Sequence, residues 1–349
     1  AGVHVSIEQF IHLMPKVELH VHLEGSIRPS TLLALAERNG VALPADSVEG
    51  LEAWYHFTDF AHFIDVYFAI CNCLRTAQDF ELITAEFLRS QEEQNIRYSE
   101  VIFTPYTHHE HVSFDEQLAA INRARAWAAE ELEVSMALAP DISRNVRPVD
   151  HSLQVAQWAV DNRDNGIIAL GLGGPEIDNP PELFAEAFDL AYKAGLPSLP
   201  HAGETEGPAN IWGALNALHA GRIGHGVRCL EDPALVQELR ERQVPLDVSP
   251  SSNVCLGVAP SLEAHPLPRL LEEGLFVTIN SDDPPMFNTT LTEEYLRIYE
   301  TFNFDLAQIK TLVLNGVHAS LLPRAERSKL LAEFLAEFAE LDRRLGPDI

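Results

Sequence analysis

Short apolar runs rich in β-branched residues alternate with longer stretches of helical periodicity along most of the chain. The runs Val17–His22, Arg97–Thr104, Leu132–Leu138, Ile167–Leu172, Pro197–His201, Arg222–Gly226, Val244–Val248 and Leu275–Ser281 read as strands. Pro181–Ala194, Glu231–Arg242 and Pro268–Glu273 are among the helical stretches between them. Strand–helix alternation implies a parallel sheet. Eight such units in 349 residues point to a closed (β/α)8 TIM barrel, read as a single domain over 1–349. An open doubly wound sheet would want a Gly-rich phosphate loop after its first strand, and here that strand ends in His20-Val21-His22-Leu23-Glu24-Gly25.

The interval between the first two strands is long and carries the aromatic stretch Trp54–Phe63. A helical insertion there would stand above the mouth of a barrel. A buried aromatic face and a lid over an apolar ligand are equally good readings of it. Ser328–Leu345 reads as a C-terminal helix on the outer wall. Composition adds boundaries. At 46% hydrophobic and 22% charged, the chain can bury a core and is not of the disordered type. A net charge of −28 argues against nucleic acid and anionic membrane as partners. There is no apolar run long enough to span a bilayer and no secretory pattern, so the expectation is a soluble, cytoplasmic protein. Cys71, Cys73, Cys229 and Cys255 form no CxxC pair and are expected as reduced, mostly buried thiols.

The candidate chemistry sits where strands stop. His20 and His22 share one face of the first strand and could grip one metal ion. The fifth strand ends in His201-Ala202-Gly203-Glu204, the sixth in Gly224-His225-Gly226, and the eighth in Asn280-Ser281-Asp282-Asp283-Pro284. In a parallel barrel these ends converge. His20, His22, His201 and Asp282 make a zinc-type set, with a position left for water. Glu204 is a candidate acid, and His225 and Asp283 are candidate base and orienting groups. Spacing leaves open whether His225 is a ligand or a base. The fourth strand ends in Gly171-Leu172-Gly173-Gly174-Pro175-Glu176 without the lysine that bridges many two-metal barrels, which favours one metal. Its glycines suit a tight turn or the close approach of a flat ligand.

Three other stretches read as structural. His108, His109 and His111 are expected in a solvated loop. Asp141, Arg144 and Arg147, after the third strand and near the mouth, are expected to pair with one another rather than to touch substrate. Ser249–Asn253 is a capped loop or a polar wall that orients the site.

Four ordered blocks spanning Pro15 to Pro284 resemble the adenosine deaminase family of the amidohydrolase superfamily. They are Pro15–Gly25, His201–Glu204, Gly224–Gly226 and Ser281–Pro284. The resemblance implies one zinc per chain on His20, His22, His201 and Asp282, with a zinc-activated water attacking C6 of an adenine-type purine and ammonia leaving. It gives Glu204 the proton for N1. It makes His225 the group that deprotonates or orients the water, and Asp283 the partner of N7. His22, Glu24, Gly174 and Asp283 would contact a small-molecule purine base or nucleoside. The chain departs from the family at Glu24, where adenosine deaminases usually carry Asp. It also departs at Gly171–Gly173, in place of an Asp-Leu-Ala pattern, and at Ser249, in place of Cys. The resemblance puts adenosine first, with adenine and aminodeoxyfutalosine as alternatives. Another metallohydrolase with two metals, or a non-catalytic binding barrel, would be the more distant readings.

Overall fold

A computed structural model describes residues 4–346. Eight parallel strands form one sheet in chain order: β1 Lys16–His22, β2 Ile96–Phe103, β3 Ser135–Ser143, β4 Leu170–Gly173, β5 Ser198–Ala202, β6 Ile223–His225, β7 Leu246–Val248 and β8 Val277–Ile279. Nearly every strand residue is buried, as expected when helices cover the outer face and side chains fill the interior. The fold is the expected (β/α)8 barrel.

The circle closes by a side chain as much as by a ladder. Asn280 Oδ1 accepts from the backbone N–H of Leu19 (2.9 Å) and His20 (3.1 Å). Two backbone bonds follow, His22 N to Asp282 O (2.9 Å) and Asp282 N to His20 O (3.2 Å). The seam between β8 and β1 is therefore stitched at the residues that carry the candidate ligands.

The third strand differs from expectation. Leu132 ends the preceding helix Phe114–Glu131, Glu133 adopts φ +55°, and the strand runs on to Ser143. The expected strand stops at Leu138, two residues before Pro140, which lacks a ladder donor. Pro140 falls where β3 changes partner from β2 to β4, and the strand continues past it. Asp141 is consequently a strand residue of the barrel interior, not a loop residue.

Between β1 and β2 the chain builds helices Pro29–Asn39, Val48–Trp54, Phe60–Cys71 and Ala77–Glu93. The aromatic stretch forms a buried face. Phe63 is buried and packs on Phe57 and Phe287, while Phe60, Ile64, Tyr67 and Phe68 face the cavity at the barrel mouth. The C-terminal helix, Arg324–Arg344, begins four residues before the expected start. Cys71, Cys73 and Cys229 are buried and Cys255 is exposed at the end of the helical turn Pro250–Cys255, in keeping with mostly buried thiols. No helix among the described residues is long and apolar enough to cross a membrane.

Beneath the mouth, Arg222 is buried against two carboxylates. Its guanidinium meets Asp247 at 2.8 Å and Glu100 at 2.7 Å, and donates to the carbonyls of Ala319 (3.0 Å) and Leu19 (3.1 Å). Asp247 also accepts from Thr278 (2.7 Å) and lies 3.9 Å from His20 Nδ1. This ties β2, β6, β7 and β8 to the floor of the site. Removing the cation leaves two buried carboxylates uncompensated. Arg222→Ala is expected to lower the unfolding free energy by about 3–5 kcal/mol in urea denaturation. A loss under about 1 kcal/mol would show that the network does not brace the barrel.

Candidate active site

His20 and His22 lie on β1, His201 on β5, and Asp282 just past β8, and the structure brings these four together. One ligand-type atom from each lies within 4.8 Å of every other. His20 Nε2 and His22 Nε2 stand 3.3 and 3.2 Å from Asp282 Oδ1, and His22 Nε2 stands 3.2 Å from His201 Nε2. His20 Nε2 and Asp282 Oδ1 are buried without a hydrogen-bond partner. Buried polar atoms are normally satisfied, so this unsatisfied nitrogen and oxygen, with the facing Nε2 atoms of His22 and His201, form the donor set a cation would complete.

Surrounding groups fix how these side chains present themselves. His201 Nδ1 is bonded to Leu172 O at 2.8 Å, which turns Nε2 inward. Ser252 Oγ donates to Asp282 Oδ2 at 2.8 Å. Burial works against the charge of Asp282, yet His20, His22 and His225 hold its carboxyl well below the usual range. Burial, reinforced by Asp282 and Glu176, pushes Glu204 well above its ordinary value. Burial and Asp282 do the same to Asp283. One carboxylate is thus kept ionised while two neighbours favour the acid form, the separation that acid–base sites use.

His225 Nε2 lies 3.5 Å from Glu204 Oε2 and 3.7 Å from Asp282 Oδ2. Its tautomer follows from a chain of hydrogen bonds. The backbone N–H of Leu267 donates to His265 Nδ1 (3.0 Å), so the neutral His265 ring carries its proton on Nε2. Burial lowers His265 to about 4 and keeps it neutral. His265 Nε2 then donates to Asn253 Oδ1 (2.8 Å), and Asn253 Nδ2 turns to His225 Nδ1 (3.4 Å). That assigns the His225 proton to Nε2, facing the two carboxylates. Burial lowers His225 itself to about 4. Ser249–Asn253 therefore builds the polar wall. His265, with no motif around it, was not foreseen.

His225 and Asp282 both have φ +65°, a left-handed conformation that costs non-glycine residues about 1–3 kcal/mol each. Both residues lie in the cluster, so the strain coincides with the aiming of their side chains.

Glu176 was not foreseen as a site residue either. It is buried after β4 and accepts from the backbone N–H of Gly203 (3.0 Å), Glu204 (2.9 Å) and Thr205 (3.0 Å), and from Asn210 (3.0 Å). It clamps the loop that carries Glu204.

Three expectations change. His108 is buried, not solvated: the short helical turn Pro105–His108 rotates it inward to Glu24 (3.0 Å), while His109 and His111 stay exposed. Glu24 is fully buried and also accepts from Thr104 N (3.0 Å). It lies behind the side chains that line the cavity. Arg144 and Arg147 do not bond to Asp141. They bind the carbonyls of Asn179 and His201 (Arg144), of Arg144 and Val146 (Arg147), and the side chain of Asn179. Asp141 faces the cavity beside Gly173, Gly174 and His201.

A parallel barrel with a His/Asp cluster at the strand ends has the architecture of a metal-dependent hydrolase. The model of the adenosine deaminase family matches residues 15–337, and the chain belongs to that family. It is 37% identical over 329 residues to an adenine deaminase of Chlorobium phaeobacteroides, covering 93% of this chain and 97% of the relative. It is 39% identical over 331 residues to an aminodeoxyfutalosine deaminase of Streptomyces avermitilis, covering 94% and 92%. An amidohydrolase from Burkhoderia ambifaria, solved with zinc bound, superposes with a TM-score of 0.89 at 26% identity, covering 98% of this chain and 97% of that one.

Glu176→Ala would leave three buried donors and one half-buried donor unpaired around Glu204. Urea denaturation should show a loss of at least about 3 kcal/mol, with Glu176→Gln intermediate. A loss below about 1 kcal/mol would contradict the clamp.

Proposed function

We propose that the protein hydrolytically deaminates an adenine-type purine, with adenine itself or an adenine nucleoside of the aminodeoxyfutalosine kind as substrate. The observation that carries the reading is the unsatisfied His20–His22–His201–Asp282 cluster beside a protonated-type carboxyl at Glu204. Adenosine, first by motif resemblance alone, gives way. Relatives sharing more than a third of the sequence over nearly their whole length are named adenine and aminodeoxyfutalosine deaminases.

His20, His22, His201 and Asp282 would hold one zinc ion. Zinc supplies Lewis acidity, which makes a water molecule nucleophilic near neutral pH. Glu204, with its proton retained by burial, donates to purine N1 and leaves C6 electron-poor. Asp283, also biased to the acid form, donates to N7 and orients the ring. Gly174 presents backbone at the N3 edge, and His22 bounds the ring. Water oxygen bonds to C6 as its proton passes to the carboxylate left at Glu204. His225 keeps its Nε2–H toward the developing oxyanion and stabilises it, the orienting role rather than that of base. The C6–N bond breaks and the amino group leaves as ammonia with that proton, while the remaining hydroxyl proton on the C6 oxygen passes to Glu204, which restores the acid and leaves the neutral 6-oxopurine. Phe60, Phe63 and Tyr67 cover the face of the ring and exclude bulk water.

Incubation with adenine, aminodeoxyfutalosine and adenosine should release ammonia most efficiently from one of the first two. Glu204→Gln should retain zinc and lower kcat by at least about 10²-fold. Zinc-replete protein that releases ammonia from none of the three would overturn the reading.

A further inference from the structure

Asp141 is a buried carboxylate that the reaction described above does not use. It lies on β3, on the cavity wall, and its Oδ1 has no hydrogen-bond partner. The barrel makes specific room for it. A methyl group at Gly171 would come within 2.1 Å of Asp141 Oδ1, and one at Gly173 within 2.3 Å of Oδ2. The two glycines of β4 are paired across the ladder with Asp141 and Ser143, so the carboxylate occupies the space their missing side chains vacate. The guanidinium of Arg144, three residues on, is turned to the carbonyls of Asn179 and His201. Burying an acceptor without a donor is costly, and such a group facing a cavity is normally completed by what binds there.

We propose that Asp141 is a specificity-determining residue that accepts a hydrogen bond from a donor on the substrate outside the reacting amidine. The proposal rests on the purine reading above. N1 and N7 belong to Glu204 and Asp283, just past the ends of β5 and β8. The donors left on an adenine-type substrate are the N9–H of the free base and the hydroxyls of an N9 substituent. A carboxylate serves either, since it offers acceptors in both cases. The Tyr67 hydroxyl, also buried without a partner on the same cavity, supplies a complementary donor from the lid.

The test compares Asp141→Ala with wild type on two matched pairs, adenine with 9-methyladenine, and adenosine with 2′,3′-dideoxyadenosine. The readout is kcat/KM, or the inhibition constant for a member that is not turned over. In one pair the variant should lose about 10- to 100-fold on the member that carries the donor and under about threefold on the member that lacks it. The adenine pair responding identifies N9–H as the donor; the adenosine pair responding identifies a sugar hydroxyl. Equal losses within both pairs, or no loss in either, would overturn the assignment. Asp141→Leu, which keeps the branched side-chain shape but has no acceptor, carries the same readout if the alanine variant folds poorly. Wild-type protein that deaminates none of these purines nor aminodeoxyfutalosine overturns the purine reading and this inference with it. Wild-type turnover with an indifferent variant overturns this inference alone.

Discussion

Crowding of buried carboxyl groups at the barrel mouth is the constraint around which the molecule is arranged. Asp141, Glu204, Asp282 and Asp283 are buried around one cavity, with Glu24 behind it. Burying several like charges together costs far more than a fold of ordinary stability can supply. Each group is answered differently. Glu24 is held by His108 and by Thr104 N–H, and Asp282 by three imidazoles. Glu204 and Asp283 are driven toward the neutral acid. The set still converges on unsatisfied nitrogens and oxygens, and a divalent cation would neutralise what the side chains leave.

The scaffold serves that arrangement. The barrel seam is stitched by Asn280 and by the backbone of His20, His22 and Asp282. Closing the sheet and assembling the cluster are therefore one event. Left-handed backbone at His225 and Asp282 is strain that the surrounding ladder and the Ser252 and Asn253 contacts hold in place. A second group of ligand-type residues, Glu24, Cys71 and His108, is spent differently. His108 is bonded to Glu24, and burial pushes the Cys71 thiol well above its ordinary value.

Much of this was legible in the sequence where a local rule carried the information. Alternating apolar runs and helical stretches located eight strands, and the strand ends located His20, His22, His201, Glu204, His225, Asp282 and Asp283. What escaped depends on contacts distant in the chain. β3 continues five residues past its expected end by switching partner from β2 to β4, and with that comes the inward aim of Asp141. His108 reads as surface in a polar run because its partner, Glu24, lies 84 residues earlier. The tautomer of His225 is set by Asn253 and His265, 28 and 40 positions on and on other elements, beyond the reach of any local pattern. Glu176 shows its role only once the Glu204 loop folds back on it.

Zinc stoichiometry together with X-ray absorption at the zinc edge tests the central claim most directly. The account predicts one zinc per chain, with three imidazole nitrogens at about 2.0–2.1 Å, carboxylate oxygen and no sulfur ligand. Two metals per chain, a sulfur ligand from Cys71, or a zinc shell without the three imidazoles would contradict it.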